Sequence, residues 1–159
     1  MTSGFILAWR PLAQYADFSG RSRRSDMLFF YALTVTLNSL IGWGGLAGGF
    51  EVSFWASRAF SLALLCPWAS LAVRRLHDSG RSGWWLLLAL PSLALNMWNM
   101  ARVWKEGAFF VFANPIPGAI SLSVGLCGVA LIVLLLWKDE EEANVYGPNP
   151  RYDAGEATA

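Results

Sequence analysis

The chain of 159 residues is 55% hydrophobic and only 14% charged, which is too apolar for an ordinary soluble domain. Its net charge of +1 creates no general attraction for nucleic acid, so no nucleic-acid partner is expected. The single histidine and the two cysteines, Cys66 and Cys127, cannot build a structural zinc site, because both thiols lie within apolar runs. We therefore expect neither a metal nor a cofactor.

Residues 1–26 are predicted to form an N-terminal segment on the membrane surface. From Leu12 onward, the apolar residues fall on one face of a helix; they are Leu12, Tyr15, Ala16 and Phe18. A disordered tail is the alternative. Residues 19–26 then form a basic turn that contains Arg21, Arg23 and Arg24.

Residues 27–137 contain four apolar runs, at 27–48, 54–73, 84–101 and 116–137. Each is close to the roughly 20 residues that a helix needs to cross a bilayer, and only helices satisfy their own backbone within such a run. The connection at 49–53 is short enough to require an antiparallel hairpin. We predict an all-α integral membrane protein with four transmembrane helices arranged as two antiparallel hairpins. The third run is the weakest, because Asn96 and Asn99 interrupt it.

The positive charges predict the orientation of these helices. Nine of the twelve Lys and Arg residues lie in the N-terminal segment, the central turn at 74–85 and the C-terminal tail, whereas Arg58, Arg102 and Lys105 belong to the other side. Both termini and the central turn are therefore expected in the cytoplasm.

Residues 138–159 form the predicted cytoplasmic tail, which begins with an acidic run at 139–142. This run leaves the membrane at the same level as the basic turns, and opposite charges held at one interface attract. We therefore predict that the acidic run and the turn at Tyr146-Gly147-Pro148 fold back over the central turn. A solvated acidic tail is the alternative.

Three stretches of the sequence resemble one known family. They are RLHDSGRSGWW at 75–85, the segment from Tyr15 to FSGRSRRSD at 18–26, and NVYGPNP at 144–150. Together they are similar to the YhaH-like bacterial inner-membrane proteins, known as domain of unknown function 805. The resemblance implies a small multi-pass protein of the bacterial inner membrane, and it implies no activity.

The basic turns are also the candidate site. The segment Ser19-Gly20-Arg21-Ser22 recurs as Ser79-Gly80-Arg81-Ser82, and each copy precedes an apolar run whose helix begins with free N–H groups. We expect an anion site for lipid phosphate, built from Arg21, Arg23, Arg24, Arg74, Arg75, His77, Asp78, Ser79, Gly80 and Arg81. The alternative is that these charges only set the topology.

Three classes of function follow from these patterns. The leading hypothesis is a non-enzymatic protein that binds anionic phospholipid, or else a membrane-protein partner or a second copy of itself. A transporter or channel element is the second, favoured by Asn38, Asn96, Asn99 and the helix-kinking Pro67 and Pro91. A lipid-modifying enzyme is the third, in which Asp78 would orient His77 for acid–base chemistry; the alternative for that pair is a capped turn in which Asp78 pairs with Arg75 or Arg81.

Overall fold

The computed structural model of the protein describes residues 12–107 and 116–149. Within these ranges the chain is helical and contains no strand, as the apolar runs predict. These residues divide into two compact units, one made of 12–83 and 138–149, the other of 84–107 and 116–137.

The first unit contains three helices: α1 (Arg24–Gly48), α2 (Phe50–Ala63) and α3 (Leu65–Asp78). Only Gly49 separates α1 from α2, and its φ of +94° belongs to a region that favours glycine. The two helices pack closely beside this turn, because a side chain at Gly45 would lie 2.2 Å from the Ser53 hydroxyl. Further along, Asn38 donates a 3.1 Å hydrogen bond to Ser61. These contacts pair earlier residues of α1 with later residues of α2, so the two helices run antiparallel.

The predicted span at 54–73 is not one continuous helix. It consists of α2 and α3, which meet at Leu64 with a bend of 44°. The reason is Pro67, which has no N–H to donate to the Ala63 carbonyl and whose ring opposes straight helix there. The structure therefore places the break three residues before the proline.

A 3₁₀ helix at Gly83–Ala89 leads into the second unit, which contains α4 (Leu90–Glu106) and α5 (Gly118–Leu135). The observed helix α4 thus begins six residues later and ends five residues later than the helix predicted at 84–101. Pro91 lies in the first turn of α4, where its missing N–H costs nothing. Upstream of that proline, the chain adopts the tighter helix instead.

Two of the described helices are long and apolar enough to cross a membrane, at Arg24–Gly45 and Gly118–Leu135. The bent pair α2–α3 adds a third if it is one span. Their apolar side chains are largely exposed; Leu122 and Leu126 on α5, for example, are 65% and 61% exposed. Large exposed apolar surface is unfavourable in water but not in lipid.

The apolar core of the first unit lies at the end that carries the basic turns. Phe30, Leu71 and Leu76 are at most 1% exposed, and the Phe30 ring lies 6.0 Å from that of Trp68. This core supports the charged residues that follow it in α3.

Candidate functional site: a buried charge cluster at the central turn

The central turn is a glycine-terminated helix end. Arg81 N–H donates to the Leu76 carbonyl at 2.9 Å, and Gly80 N–H donates to the His77 carbonyl at 3.1 Å. This is the hydrogen-bond pattern of a Schellman motif, with Gly80 at φ +68° in its left-handed position. A side chain at Gly80 would also lie 2.0 Å from a Glu140 carboxylate oxygen. The Ser-Gly-Arg sequence therefore ends α3 and leaves room for the tail.

Buried ion pairs link three distant segments of the chain. Asp78 accepts a 2.8 Å hydrogen bond from Arg21 Nε on one carboxylate oxygen and pairs with Arg75 through the other. Arg75 also donates to Asp139 at 2.6 Å, and the same Asp139 oxygen accepts from Arg24 Nε at 2.9 Å. The Arg75 side chain is completely buried. The result is a continuous chain of charges from the N-terminal segment through α3 to the tail.

The buried charges of this region are balanced. Among the described residues, the buried ionic side chains are three arginines and three aspartates: Arg21, Arg74, Arg75, Asp26, Asp78 and Asp139. A buried charge is costly unless it is paired and hydrogen-bonded. Arg21, Arg75, Asp78 and Asp139 meet this condition through their mutual ion pairs.

The tail is attached to this cluster by backbone as well as by side chains. Arg21 donates to the carbonyls of Glu140 and Glu142, the latter at 2.8 Å, and Glu140 N–H donates to the Asp78 carbonyl at 3.0 Å. Asn144 donates to the His77 carbonyl at 2.9 Å. The prediction that the acidic run folds back over the central turn is confirmed.

His77 lies flat against Tyr146, with the ring centroids 3.8 Å apart and the planes within 2°. Its Nδ1 faces the Gly20 carbonyl at 3.3 Å. His77 lies in the last turn of α3, four residues beyond the apolar run at 54–73. Partial burial lowers the pKa of His77, and the contact with Gly20 opposes this in part. Arginines contact both Asp78 oxygens, and the Nδ1 of His77 faces the Gly20 carbonyl rather than Asp78.

The N-terminal segment packs on α3 through polar contacts. Arg74 donates to the Gln14 side chain and to the Ser70 carbonyl at 3.4 Å, and Ser22 N–H donates to the Arg74 carbonyl at 3.3 Å. In the loop between these residues, two hydrogen bonds from Ser19 lower the pKa of Asp17. Of the predicted surface segment, residues 1–11 lie outside the described residues.

The structure brings most of the predicted site residues together. One group forms the buried cluster and its turn, namely Arg21, Arg24, Arg74, Arg75, His77, Asp78, Ser79 and Gly80. Arg23 and Arg81 lie at its edge and are partly exposed. Asp78 pairs with Arg75, as the capped-turn hypothesis predicts, and also with Arg21. Gln14 and Tyr15 were missed as site residues, because an isolated polar residue in an apolar segment does not indicate its partner.

These features define a class: a helical membrane protein in which a buried ionic cluster joins its N-terminal segment, a central turn and its tail. The chain matches the family described as "Protein of unknown function (DUF805)" over residues 15–148, and it belongs to that family. The predicted family resemblance is confirmed. The matched range begins at Tyr15 and includes every ion pair of the cluster.

Two relatives from Escherichia coli strain K12 are similar to this chain. "Inner membrane protein YhaI" is 39% identical over 77 residues, which cover 48% of this chain and 64% of the relative, so less than two thirds of that protein is spanned. "Inner membrane protein YhaH" is 33% identical over 88 residues, covering 51% and 69%. No solved structure matches the chain. The relatives are inner-membrane proteins, and the chain has helices suited to a membrane.

Proposed function

We propose that this chain is a non-enzymatic, multi-pass protein of the bacterial inner membrane that binds anionic lipid headgroups. The binding surface would be its cytoplasmic rim, which we define as the partly exposed Arg23, Arg24 and Arg81. Its four transmembrane helices would form two antiparallel hairpins, with both termini and the central turn in the cytoplasm.

The contact between Arg75 and Asp139 supports the topology. Side chains that form a direct ion pair lie on the same side of a membrane, so an even number of crossings separates them. Helix α5 supplies one crossing between these residues, and the chain before α5 must supply another. Residues 83–106, which include the 3₁₀ helix and α4, are the described apolar segment available for it. The same reasoning applied to Arg21 and Asp78 requires two crossings from α1 and the bent pair α2–α3.

The partly exposed arginines at the cluster's edge carry the proposal for lipid. Arg23 and Arg24 stand where α1 begins, and Arg81 stands three residues beyond the end of α3. The ends of membrane-spanning helices lie at the depth of the phosphate groups. Each basic residue there is worth about 1 kcal/mol of attraction to an anionic leaflet. Of the buried arginines, Arg21 and Arg75 are already paired with aspartates.

The geometry bears in opposite ways on the two alternative hypotheses, an enzyme and a transporter. The enzyme hypothesis loses its central pair, since arginines hold Asp78 and His77 stacks on Tyr146. The transporter hypothesis gains one observation, which is a groove of about 530 Å³ between α1 and α2 beside the break at Leu64. Uncharged polar side chains line part of it, namely Thr34, Asn38, Ser39 and Ser61. Broken helices beside polar side chains occur at the substrate sites of transporters.

The lipid that co-purifies with the protein tests the proposal. Arg23→Gln/Arg81→Gln should lower the fraction of phosphatidylglycerol and cardiolipin retained in mild detergent, because two phosphate-attracting charges are removed. Arg102→Gln/Lys105→Gln removes the same charge from the opposite side and should leave that fraction unchanged. A wild-type protein with no enrichment of anionic lipid would contradict the proposal. A stoichiometric membrane-protein partner or a stable homo-oligomer in its place would favour the protein-partner alternative.

A further inference from the structure

Asp139 occupies a position that an anionic ligand would take. One of its carboxylate oxygens accepts hydrogen bonds from Arg75 at 2.6 Å and from Arg24 at 2.9 Å. Two guanidinium groups that converge on one oxygen form a geometry suited to a phosphate as well as to a carboxylate. We call Arg24 and Arg75 the arginine clamp.

We propose that the arginine clamp is a phosphate-binding site and that Asp139 is its internal ligand, which an anionic headgroup phosphate replaces. This inference rests on the proposed function, since it names the site at which the cytoplasmic rim holds its lipid. The exchange conserves charge, because one anion leaves the clamp as another enters. An empty clamp would instead leave Arg75 buried without its second carboxylate, which is costly.

The clamp has a fixed side and an accessible side. Arg75 is completely buried and remains held by Asp78 when Asp139 moves away. The Arg24 side chain is 37% exposed and begins α1, so a headgroup can reach the clamp from that side. Asp139 lies in the non-helical segment after α5, and the backbone contacts with Asp78 and Arg21 are made by the next residue, Glu140. The hydrogen bonds from Arg21 to the tail carbonyls and the stacking of Tyr146 on His77 need not break.

Removing the internal ligand's charge tests this exchange. Asp139→Asn is compared with wild type in nanodiscs of phosphatidylcholine, with and without phosphatidylglycerol. Thermal unfolding and the binding of a fluorescent phosphatidylglycerol are measured. The variant should be less stable than wild type in phosphatidylcholine, and phosphatidylglycerol should restore its melting temperature. Its affinity for the anionic lipid should rise about tenfold, because the lipid phosphate no longer competes with the charge-assisted hydrogen bonds of the Asp139 carboxylate.

Three further variants serve as controls. Glu141→Gln removes the same charge from an exposed residue that pairs with Lys138 at 3.1 Å, and it should behave as wild type. Asp139→Glu keeps the competing carboxylate and should not gain affinity. Arg24→Gln/Asp139→Asn lacks half of the clamp and should lose the gain of the single variant.

The outcomes separate this inference from the proposed function. If wild type binds phosphatidylglycerol and Asp139→Asn binds it no better, the inference is overturned and the proposed function stands. If no form of the protein binds it, both fall. An Asp139→Asn protein that stays unfolded in both nanodiscs shows that phosphate does not replace the carboxylate, and also overturns the inference. If inorganic phosphate in phosphatidylcholine nanodiscs stabilises the variant equally, the clamp is confirmed and its ligand is free phosphate.

Discussion

The Tyr15 hydroxyl donates a 2.6 Å hydrogen bond to the carbonyl of Ala63. This is the carbonyl that would accept from residue 67 in a continuous helix, and Pro67 has no N–H to offer. The N-terminal segment therefore supplies the donor that the proline removes, at the break between α2 and α3. This contact links the first residue of the family match to the bend of the second span.

Replacing Tyr15 with Phe should lower the free energy of unfolding by about 1–3 kcal/mol, because the Ala63 carbonyl loses its donor. Unfolding in mild detergent, followed by tryptophan fluorescence, measures the change. Tyr31→Phe is the matched control, since Tyr31 meets Trp68 edge-on through its ring. Equal effects of the two changes would show that the Tyr15 hydroxyl has no special role.

Asp78→Asn should be strongly destabilising, by about 3–5 kcal/mol, because it leaves the buried Arg21 and Arg75 without their shared carboxylate. Glu141→Gln breaks an exposed pair with Lys138 and should cost no more than about 1 kcal/mol. The same unfolding measurement compares the two. If Asp78→Asn is as mild as Glu141→Gln, the cluster does not hold the tail in place.

The stability of the protein should decrease as the pH falls through the titration of His77. Partial burial lowers the pKa of His77 in the folded state, so the unfolded chain takes up the proton more readily. The free energy of unfolding is therefore highest above the ordinary pKa of 6.5 and declines below it. His77→Phe keeps a ring against Tyr146 and should abolish the change between about pH 7.5 and 5.5, where carboxylates remain ionised. A variant with the wild-type pH profile would assign the effect to another group.

Single cysteines placed at exposed positions test the topology. In a chain without Cys66 and Cys127, cysteines at Ser19 and Glu142 should be labelled only from the cytoplasmic side. Cysteines at Glu51 and Lys105 should be labelled only from the periplasmic side, because the distribution of positive charges favours this orientation. Labelling of Ser19 and Glu142 from opposite sides would contradict an even number of crossings.

Part of the candidate site could be predicted from the sequence. The opposite charges of the tail and the basic turns indicated that the tail folds back. Asp139 pairs there with Arg75, and Tyr146 stacks on His77. Pairing was harder to predict, because any of several arginines could reach each carboxylate. Asp78 takes Arg21 from 57 residues away in addition to Arg75 one turn earlier. Only packing decides which side chains are brought within 3 Å.

The sequence by itself determined the helical class, the membrane environment and the family, because apolar run length and local motifs are properties of neighbouring residues. It also indicated the break near Pro67, because a proline inside a helix removes a backbone donor. Pro91, which was expected to kink the third helix, instead lies in the first turn of α4. The tertiary structure decided that the predicted basic site is a balanced cluster in which arginines bind aspartates. Burial is the physical reason. An arginine that is removed from water is costly unless it is paired, and the carboxylate that pairs with it can come from any part of the chain.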